Sequence, residues 1–591
     1  METERKKLWD KEQAEASTSV LRKLLEFDGK HPKPTDASLK KEREDLQHRL
    51  ELLQKMNDNY DDKGPVIDAV VWHDGNVWRV ALDTWELDNN AGQGRLADFI
   101  PMTNYRLEQK HGVFSSIDAC SFVTNVYDDG NILSIVTDCS PHGTHVAGIT
   151  AAYHREEPLC CGVAPGAQIV SCKIGDSRLG SMETGTGLTR ALIAAIENKC
   201  DLINMSYGEP TSAPDYGRFV ELANEAVNKY GIIFVSSAGN AGPSLNTVGA
   251  PGGTSSCILG IGAYVSPEMA VSAHSIVEPP SDGLQYTWSS RGPTADGDIG
   301  VCLSAPGAAI APVPQWTLQC RMLMNGTSMA SPCACGGIAL ILSAMKAEDR
   351  SISPWIVRKA LENTAMPISD DSVEVLTSGF GLLQVDSAYE YLQKCVRSPS
   401  VWYRIQVSRS GIPGQSYRGV YLRDAVECTT SSEWSILVTP KFHEDEKKLE
   451  VVVPFEESIK LETKNPEWVR CPEYMLLTHN GRSFNIVVDP TRLTPGVHCS
   501  EVSGFDCKSS WRGPVFRIPI TILKPVELTN QPASIAFDGM HFVPGHIERR
   551  FIVVPLGATW AEGTFKVSGF DTPRRFYVNV VQLLQRKRPV V

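Results

Sequence analysis

Apolar positions change their spacing along this chain, and each spacing predicts a different kind of structure. Over residues 1–58 apolar side chains recur at helical intervals among charged ones. Leu39, Leu46, Leu50 and Leu53 line one face of an amphipathic helix, with Asp36 or Ser38 placed to cap it. Residues 65–83 alternate instead: VIDAVVWH and NVWRVALD flank Asp74-Gly75, a favoured tight-turn pair, and predict a β-hairpin. From about 120 to 395, β-rich runs at 131–136, 168–174, 201–207, 231–236 and 257–262 alternate with helical stretches such as 188–198 and 218–229. That alternation predicts an α/β domain with a largely parallel sheet, whose functional residues belong at the carboxyl ends of the strands. Beyond 400 the pattern becomes β throughout, at 401–408, 433–440, 449–455, 483–489, 515–523, 549–556 and 574–584, with turn residues between. One β-sandwich and part of a second β unit are expected.

A chain of 591 residues exceeds one hydrophobic core, so two to four domains are expected. Its 42% apolar and 21% charged residues are those of a folded soluble protein. The net charge of −12 is spread along the chain and argues against nucleic-acid binding. No apolar run reaches the ~18 residues of a membrane span, and METERKKLWDKEQAEAS lacks the apolar stretch of a secretory signal. The 16 cysteines therefore read as reduced thiols; Cys172, Cys200, Cys257, Cys333 and Cys335 fall in expected core elements. Cys333-Ala334-Cys335 lacks the second ligand pair a metal site needs, and no metal, nucleotide or organic cofactor motif is visible.

The chemistry concentrates in three segments. In Asn325-Gly326-Thr327-Ser328-Met329-Ala330-Ser331-Pro332 a serine sits where a glycine-led loop becomes an apolar helix, and Pro332 reads as a first-turn residue. The first N–H groups of a helix are unpaired and partly positive, which suits a nucleophile whose attack on a carbonyl generates an anion. Pro141-His142-Gly143-Thr144-His145-Val146-Ala147-Gly148 opens a second helix, with His142 placed to serve as a base. Ser236-Ser237-Ala238-Gly239-Asn240-Ala241-Gly242 follows a β-rich run and puts Asn240 on a glycine-flanked turn. Taken singly, Ser328 reads as a helix cap, His142 as a core histidine and Asn240 as a turn residue. Their ordered co-occurrence is far more specific.

The motifs HGTHVAG, SSAGN and NGTSMASP, with WSSRGP and SAPG between the last two, resemble the subtilisin-like serine peptidases. The resemblance implies acyl transfer through Ser328, proton transfer by His142, and an oxyanion site formed by the Asn240 amide and the Ser328 N–H. KIGDSRLGSMETGTG, INMSYGEP, NVYDDGNILSIV and the tail HFVPGHIERRFIVVPLGATWAEGTF are similar to the tripeptidyl peptidase II family. That implies a cytoplasmic exopeptidase releasing tripeptides from free N-termini of oligopeptides, and a large homo-oligomer in the full-length form. It also assigns Glu183 and Glu209 to the substrate's N-terminal ammonium. An ammonium–carboxylate contact worth ~1.5–3 kcal/mol per hydrogen bond would select the third peptide bond by ~10–100-fold. The alternatives are a generic subtilisin-like endopeptidase and an inactive, truncated interaction subunit. The expected layout is a helical arm with a hairpin insert over 1–118, a subtilisin-like peptidase domain over 119–397, an Ig-like β-sandwich over 398–525, and the start of a further β-rich, galactose-binding-like domain over 526–591.

A triad also needs an aspartate to orient the imidazole, carried in such chains as Asp-Thr-Gly or Asp-Ser-Gly at a strand end before the histidine. No such segment is present. Asp83-Thr84 comes nearest, but Trp85 replaces the glycine and the strand reads as the second arm of a hairpin. Asp74 belongs to its turn and Asp68 lies within a strand. The expectation is a chain that starts after the family's aspartate strand and ends before its C-terminal assembly region. Activity would then be impaired, since removing the aspartate lowers kcat ~3 × 10⁴-fold in subtilisin itself, the source of this figure.

Overall fold

The computed structural model describes residues 2–32, 34–61, 66–88, 99–115, 120–137, 140–176, 182–395, 400–412, 414–442, 449–569 and 573–583. Two compact units divide the chain: Met1–Ser140 with Gln315–Leu318, and Pro141–Pro314 with Gln319–Val591.

In the first unit, α1 (Glu2–Lys30) and α2 (Ala37–Asp58) pack as a helical hairpin. Of the two candidate caps it is Asp36 that serves: its carboxylate accepts the Ser38 N–H at 2.9 Å, satisfying a donor the helix leaves unpaired. The expected β-hairpin forms from β1 (Ala69–His73) and β2 (Trp78–Leu82), with Trp72 opposite Arg79. Asp74 caps its turn by accepting from Asn76 N and Val77 N at 2.8 and 2.9 Å, and Asp83 accepts from Trp85 N at 3.1 Å.

One expected member of the parallel sheet lies here instead. β3 (Ser121–Tyr127) and β4 (Ile132–Thr137) pair antiparallel, with Val123 opposite Val136, across Asp128-Asp129-Gly130. Gly130 is required at that turn: its φ is +87°, and a Cβ would lie 2.4 Å from the Trp78 ring. The 131–136 run thus pairs locally through a tight turn, which costs less chain entropy than a distant parallel partner.

The second unit begins with an α/β domain. β5 (Leu202–Met205), β6 (Ile233–Ser237), β7 (Leu259–Val265) and β9 (Leu303–Pro306) form a parallel ladder in that order. The short β8 (Leu284–Gln285) adds antiparallel to the end of β7. Every residue of β6 is buried, as expected of a parallel strand covered on both faces. Alternate side chains part to two cores. Ile233, Val235, Leu259 and Ile261 face a core built with α6 (Thr327–Ala347), α7 (Pro354–Thr364) and α8 (Val385–Lys394). Phe234 and Ile258 meet α4 (Gly185–Glu197) and α5 (Arg218–Asn228). A further helix, α3 (His142–Ala151), packs beside α6 and a hairpin of β10 (Ala308–Pro312) and β11 (Arg321–Asn325). By length and composition α6 is apolar enough to cross a bilayer, yet most of that stretch is buried against the sheet, as in a core helix.

Residues 168–174, expected as a strand, make no ladder among the described residues, and Ile169 and Val170 stay exposed. A β-rich run becomes a strand only where a partner offers hydrogen bonds. Cys172 is exposed with this segment, whereas Cys257, Cys333 and Cys335 are packed thiols, pushed by burial up to about 12, 11 and 12.

A β-sandwich follows. One sheet contains β12 (Val401–Arg409), β14 (Ser432–Phe442), β16 (Val469–Arg470) and β18 (Arg482–Val488). The other contains β13 (Val420–Leu422), β15 (Glu456–Thr463), β17 (Tyr474–Thr478), β19 (Gly496–Asp506) and β20 (Pro514–Lys524). Ile436, Ile486, Ile518 and Ile520 are among the side chains filling the space between. Arg418 ties the sandwich to the α/β domain, bonding Asp296 at 2.6 Å, Asp298 at 2.8 Å and the Thr254 carbonyl at 2.8 Å. Residues 449–455, read as a strand, begin as the short helix Leu449–Val452. Beyond 525 the expected strands at 549–556 and 574–584 are not formed among the described residues, though Val526 bridges to Ile552. Much of this tail's apolar surface is exposed, including Val554, Leu556 and Trp560, which leaves little burial there to hold a pleat.

Candidate active site

The serine and asparagine segments meet at the carboxyl ends of β5 and β6, and the histidine segment opens α3, which packs beside α6. β6 ends at Ser237 and turns through Gly239, whose φ of +112° and 2.7 Å clearance from Ser290 Oγ exclude a side chain. The next residue is Asn240. Its Oδ1 accepts from both the backbone N and the Oγ1 of Thr327, each at 2.9 Å. Thr327 is fully buried, and its hydroxyl also accepts from Gly239 N at 3.2 Å. With the amide oxygen occupied twice over, the Asn240 Nδ2 is the free end of the group among the described residues.

Gly326 shows where that end points. A Cβ built on it would lie 3.5 Å from Ser328 N and 3.6 Å from Asn240 Nδ2. Two N–H donors, with Met329 Sδ also 3.5 Å from that point, therefore border one space at the start of α6, an arrangement that suits a developing oxyanion. Ser328 is the second residue of α6, so its N–H has no intrahelical acceptor and carries the helix-terminal partial charge.

Pro332 is not at the helix start, as the sequence suggested, but is the sixth residue of α6. A proline there removes the N–H that would bond the carbonyl four residues back, that of Ser328. The Ser206 hydroxyl, just past β5, donates to that carbonyl at 2.9 Å. The Ser328 hydroxyl in turn lies 3.4 Å from the Ser206 carbonyl, a long and weak contact. Asn204, on β5, donates to Ser206 Oγ at 3.1 Å and accepts from Ser331 Oγ. Sequence reasoning missed Asn204, Ser206 and Thr327; the one available signal was a proline four residues after the serine.

His142 is the first residue of α3. One turn on, the buried His145 bonds the Met322 carbonyl at 2.9 Å and so holds the start of α3 to β11, the strand that leads into Ser328. Thr150 secures the other end through the Pro332 carbonyl at 3.1 Å. Gly148 permits the close approach, since a Cβ would meet the Pro312 ring at 2.9 Å. Burial first, and His145 second, hold the His142 imidazole below the ordinary histidine value. It is therefore neutral near pH 7, the form that accepts a proton.

Glu209 continues from β5 three residues past Ser206. Its backbone is pinned to Ala250, with N to O distances of 2.9 and 2.7 Å, and its side chain is exposed. Glu183 ends a two-residue strand paired to Gly175–Asp176 and immediately precedes Thr184, the N-cap of α4. Among the described residues neither carboxylate is bonded to a cation. Three extended residues span at most roughly 11 Å, so Glu209 stands within about one tripeptide of the residue that touches Ser328.

Residues 48–389 match the subtilase family, 403–523 the first Ig-like domain of tripeptidyl-peptidase II, and 542–589 its galactose-binding domain-like region. The chain is 64% identical over 587 residues to tripeptidyl-peptidase 2 of Arabidopsis thaliana, covering 99% of this chain and 42% of that protein. It is 61% identical over 590 residues to the same protein of Oryza sativa subsp. japonica, covering 100% and 43%. A crystal structure of tripeptidyl peptidase 2 aligns with a TM-score of 0.67 at 35% identity, covering 84% of this chain and 38% of that one. The chain thus spans about two fifths of the length of these relatives.

Proposed function

Because the chain belongs to the subtilase family, we propose that it carries the acyl-transfer centre of a serine exopeptidase that removes tripeptides from free N-termini of oligopeptides. The observation that carries this reading is the pair of donors, Ser328 N and Asn240 Nδ2, on either side of one space next to a serine at a helix start. Ser328 Oγ attacks the scissile carbonyl. His142, neutral at pH 7, takes the hydroxyl proton and returns it to the departing amine. The two N–H groups hold the oxyanion that forms between these steps. The tripeptide leaves as the acyl group, and water releases it by the same route in reverse.

Glu209 and Glu183 receive the substrate's ammonium. Their freedom from cations among the described residues supports this, as does the reach of Glu209 from Ser206. An acetylated N-terminus offers no charge to them and buries an amide in its place, which removes the charge-assisted contact. No Asp-Thr-Gly or Asp-Ser-Gly segment lies before His142 in this sequence. The relatives' names support tripeptide release, and a cytoplasmic, homo-oligomeric enzyme is proposed with it.

The test is a pair of peptides differing only at the N-terminus. Release of an intact tripeptide from the free-amine peptide, abolished by acetylation, is expected by mass spectrometry. Equal cleavage of both peptides at internal bonds would replace this reading with a generic endopeptidase.

A further inference from the structure

We propose that Ser206 is a positioning residue for Ser328, its hydroxyl standing in for the helix N–H that Pro332 lacks. This inference rests on Ser328 being the nucleophile. The Ser328 carbonyl lacks the helix N–H four positions on, because that residue is proline. A half-buried carbonyl left unpaired turns to find a donor, and rotating its peptide plane alters the Ser328 backbone that carries both the nucleophilic hydroxyl and an oxyanion N–H. Ser206 Oγ meets the carbonyl at 2.9 Å. Asn204 orients that hydroxyl by donating to it at 3.1 Å, which leaves its proton for the carbonyl. Asn204 Oδ1 then takes the Ser331 hydroxyl, so the end of β5 grips the first turn of α6 at two points three residues apart. That spacing places both contacts on one helix face.

Proline at this position frees the carbonyl for a donor outside the helix. The nucleophile is thereby coupled to β5, the same strand end that leads to Glu209. The grip therefore ties the attacking group to the segment proposed to measure the substrate, a coupling that an ordinary helix hydrogen bond would not supply.

The test is a double-mutant cycle on the full chain, read by the second-order rate of Ser328 labelling with a fluorophosphonate probe and by amide exchange of a peptide covering 325–334. Ser206→Ala is expected to slow labelling roughly tenfold or more, with faster exchange in that peptide and little change in the thermal midpoint. Ser206→Thr keeps the hydroxyl and is expected to retain most of the rate. In the Pro332→Ala background the carbonyl regains a helix N–H, so adding Ser206→Ala is expected to cost less than about threefold. An equal loss in both backgrounds, or no loss from Ser206→Ala alone, would overturn the inference. Absence of labelling in the unaltered chain would instead overturn Ser328 as nucleophile; exchange that is restored by Pro332→Ala would then leave the grip as a helix anchor only.

Discussion

Gly326→Ala separates the chemistry of this site from its stability. Gly326 has φ near 165°, an extended backbone open to any residue, and an added Cβ meets nothing closer than 3.5 Å. Folding therefore tolerates alanine, and reduced freedom of the unfolded chain should raise stability by about 0.4–1 kcal/mol. The methyl nevertheless lies 3.5 Å from Ser328 N and 3.6 Å from Asn240 Nδ2, in the space both donors border. An oxyanion has to approach each donor to ~2.7–3.1 Å, while carbon and oxygen stay ~3.3 Å or more apart. The methyl thus competes with the oxyanion for the same donors. Losing one such donor costs ~10²–10³ in kcat, about 2.7–4 kcal/mol, a figure drawn from subtilisin itself; obstruction of both should cost at least as much. The assay is the rate of fluorophosphonate labelling at Ser328 alongside a thermal melt. An equal or higher melting temperature with labelling slowed ~10²-fold or more is expected. Unchanged labelling would mean that the donors do not serve an oxyanion.

Further outcomes follow from the same structure. Because burial holds His142 below the usual histidine value, its neutral form persists to lower pH, and the labelling rate should reach half its plateau below pH 6.5. The same shift makes the unfolded chain bind protons more readily, so stability from this residue is complete above the ordinary histidine pKa and declines as pH falls toward the folded value; a pH series of urea melts reads it. Glu209→Gln should raise KM for tripeptide release roughly tenfold or more while leaving kcat within a few-fold, and an unaltered KM would remove Glu209 from amine recognition. Arg418→Ala leaves the largely buried Asp296 without its cation, so urea denaturation should report a loss of about 3–5 kcal/mol; a loss under 1 kcal/mol would show that this contact does not couple the sandwich to the α/β domain.

Local pattern was a sound guide wherever the partner was local. The Asp36 cap, the hairpin around Asp74-Gly75 and the helical runs at 188–198 and 218–229 all depend on neighbours within a few residues, and all form. The failures share a cause, because β-rich spacing reveals that a segment can pair but not with what. Residues 131–136 pair back on β3, 168–174 pair with nothing described, and 449–455 begin as a helical turn. At the site, serine, histidine and asparagine announced themselves through glycine-flanked motifs at element ends. The supporting groups did not. Asn204, Ser206 and Thr327 are ordinary strand-end and helix-start residues whose importance comes from contacts 87 to 127 positions away. Pro332 carried that information in latent form: a proline inside a helix requires an outside donor, though the sequence does not say which.

Whether Ser328 is a nucleophile at all can be asked in one step. Intact-mass analysis of the chain after exposure to a fluorophosphonate, followed by peptide mapping, should find a single adduct on Ser328. Ser328→Ala should abolish it, and His142→Ala should suppress it. An adduct elsewhere, or labelling that survives Ser328→Ala, would contradict acyl transfer at this site.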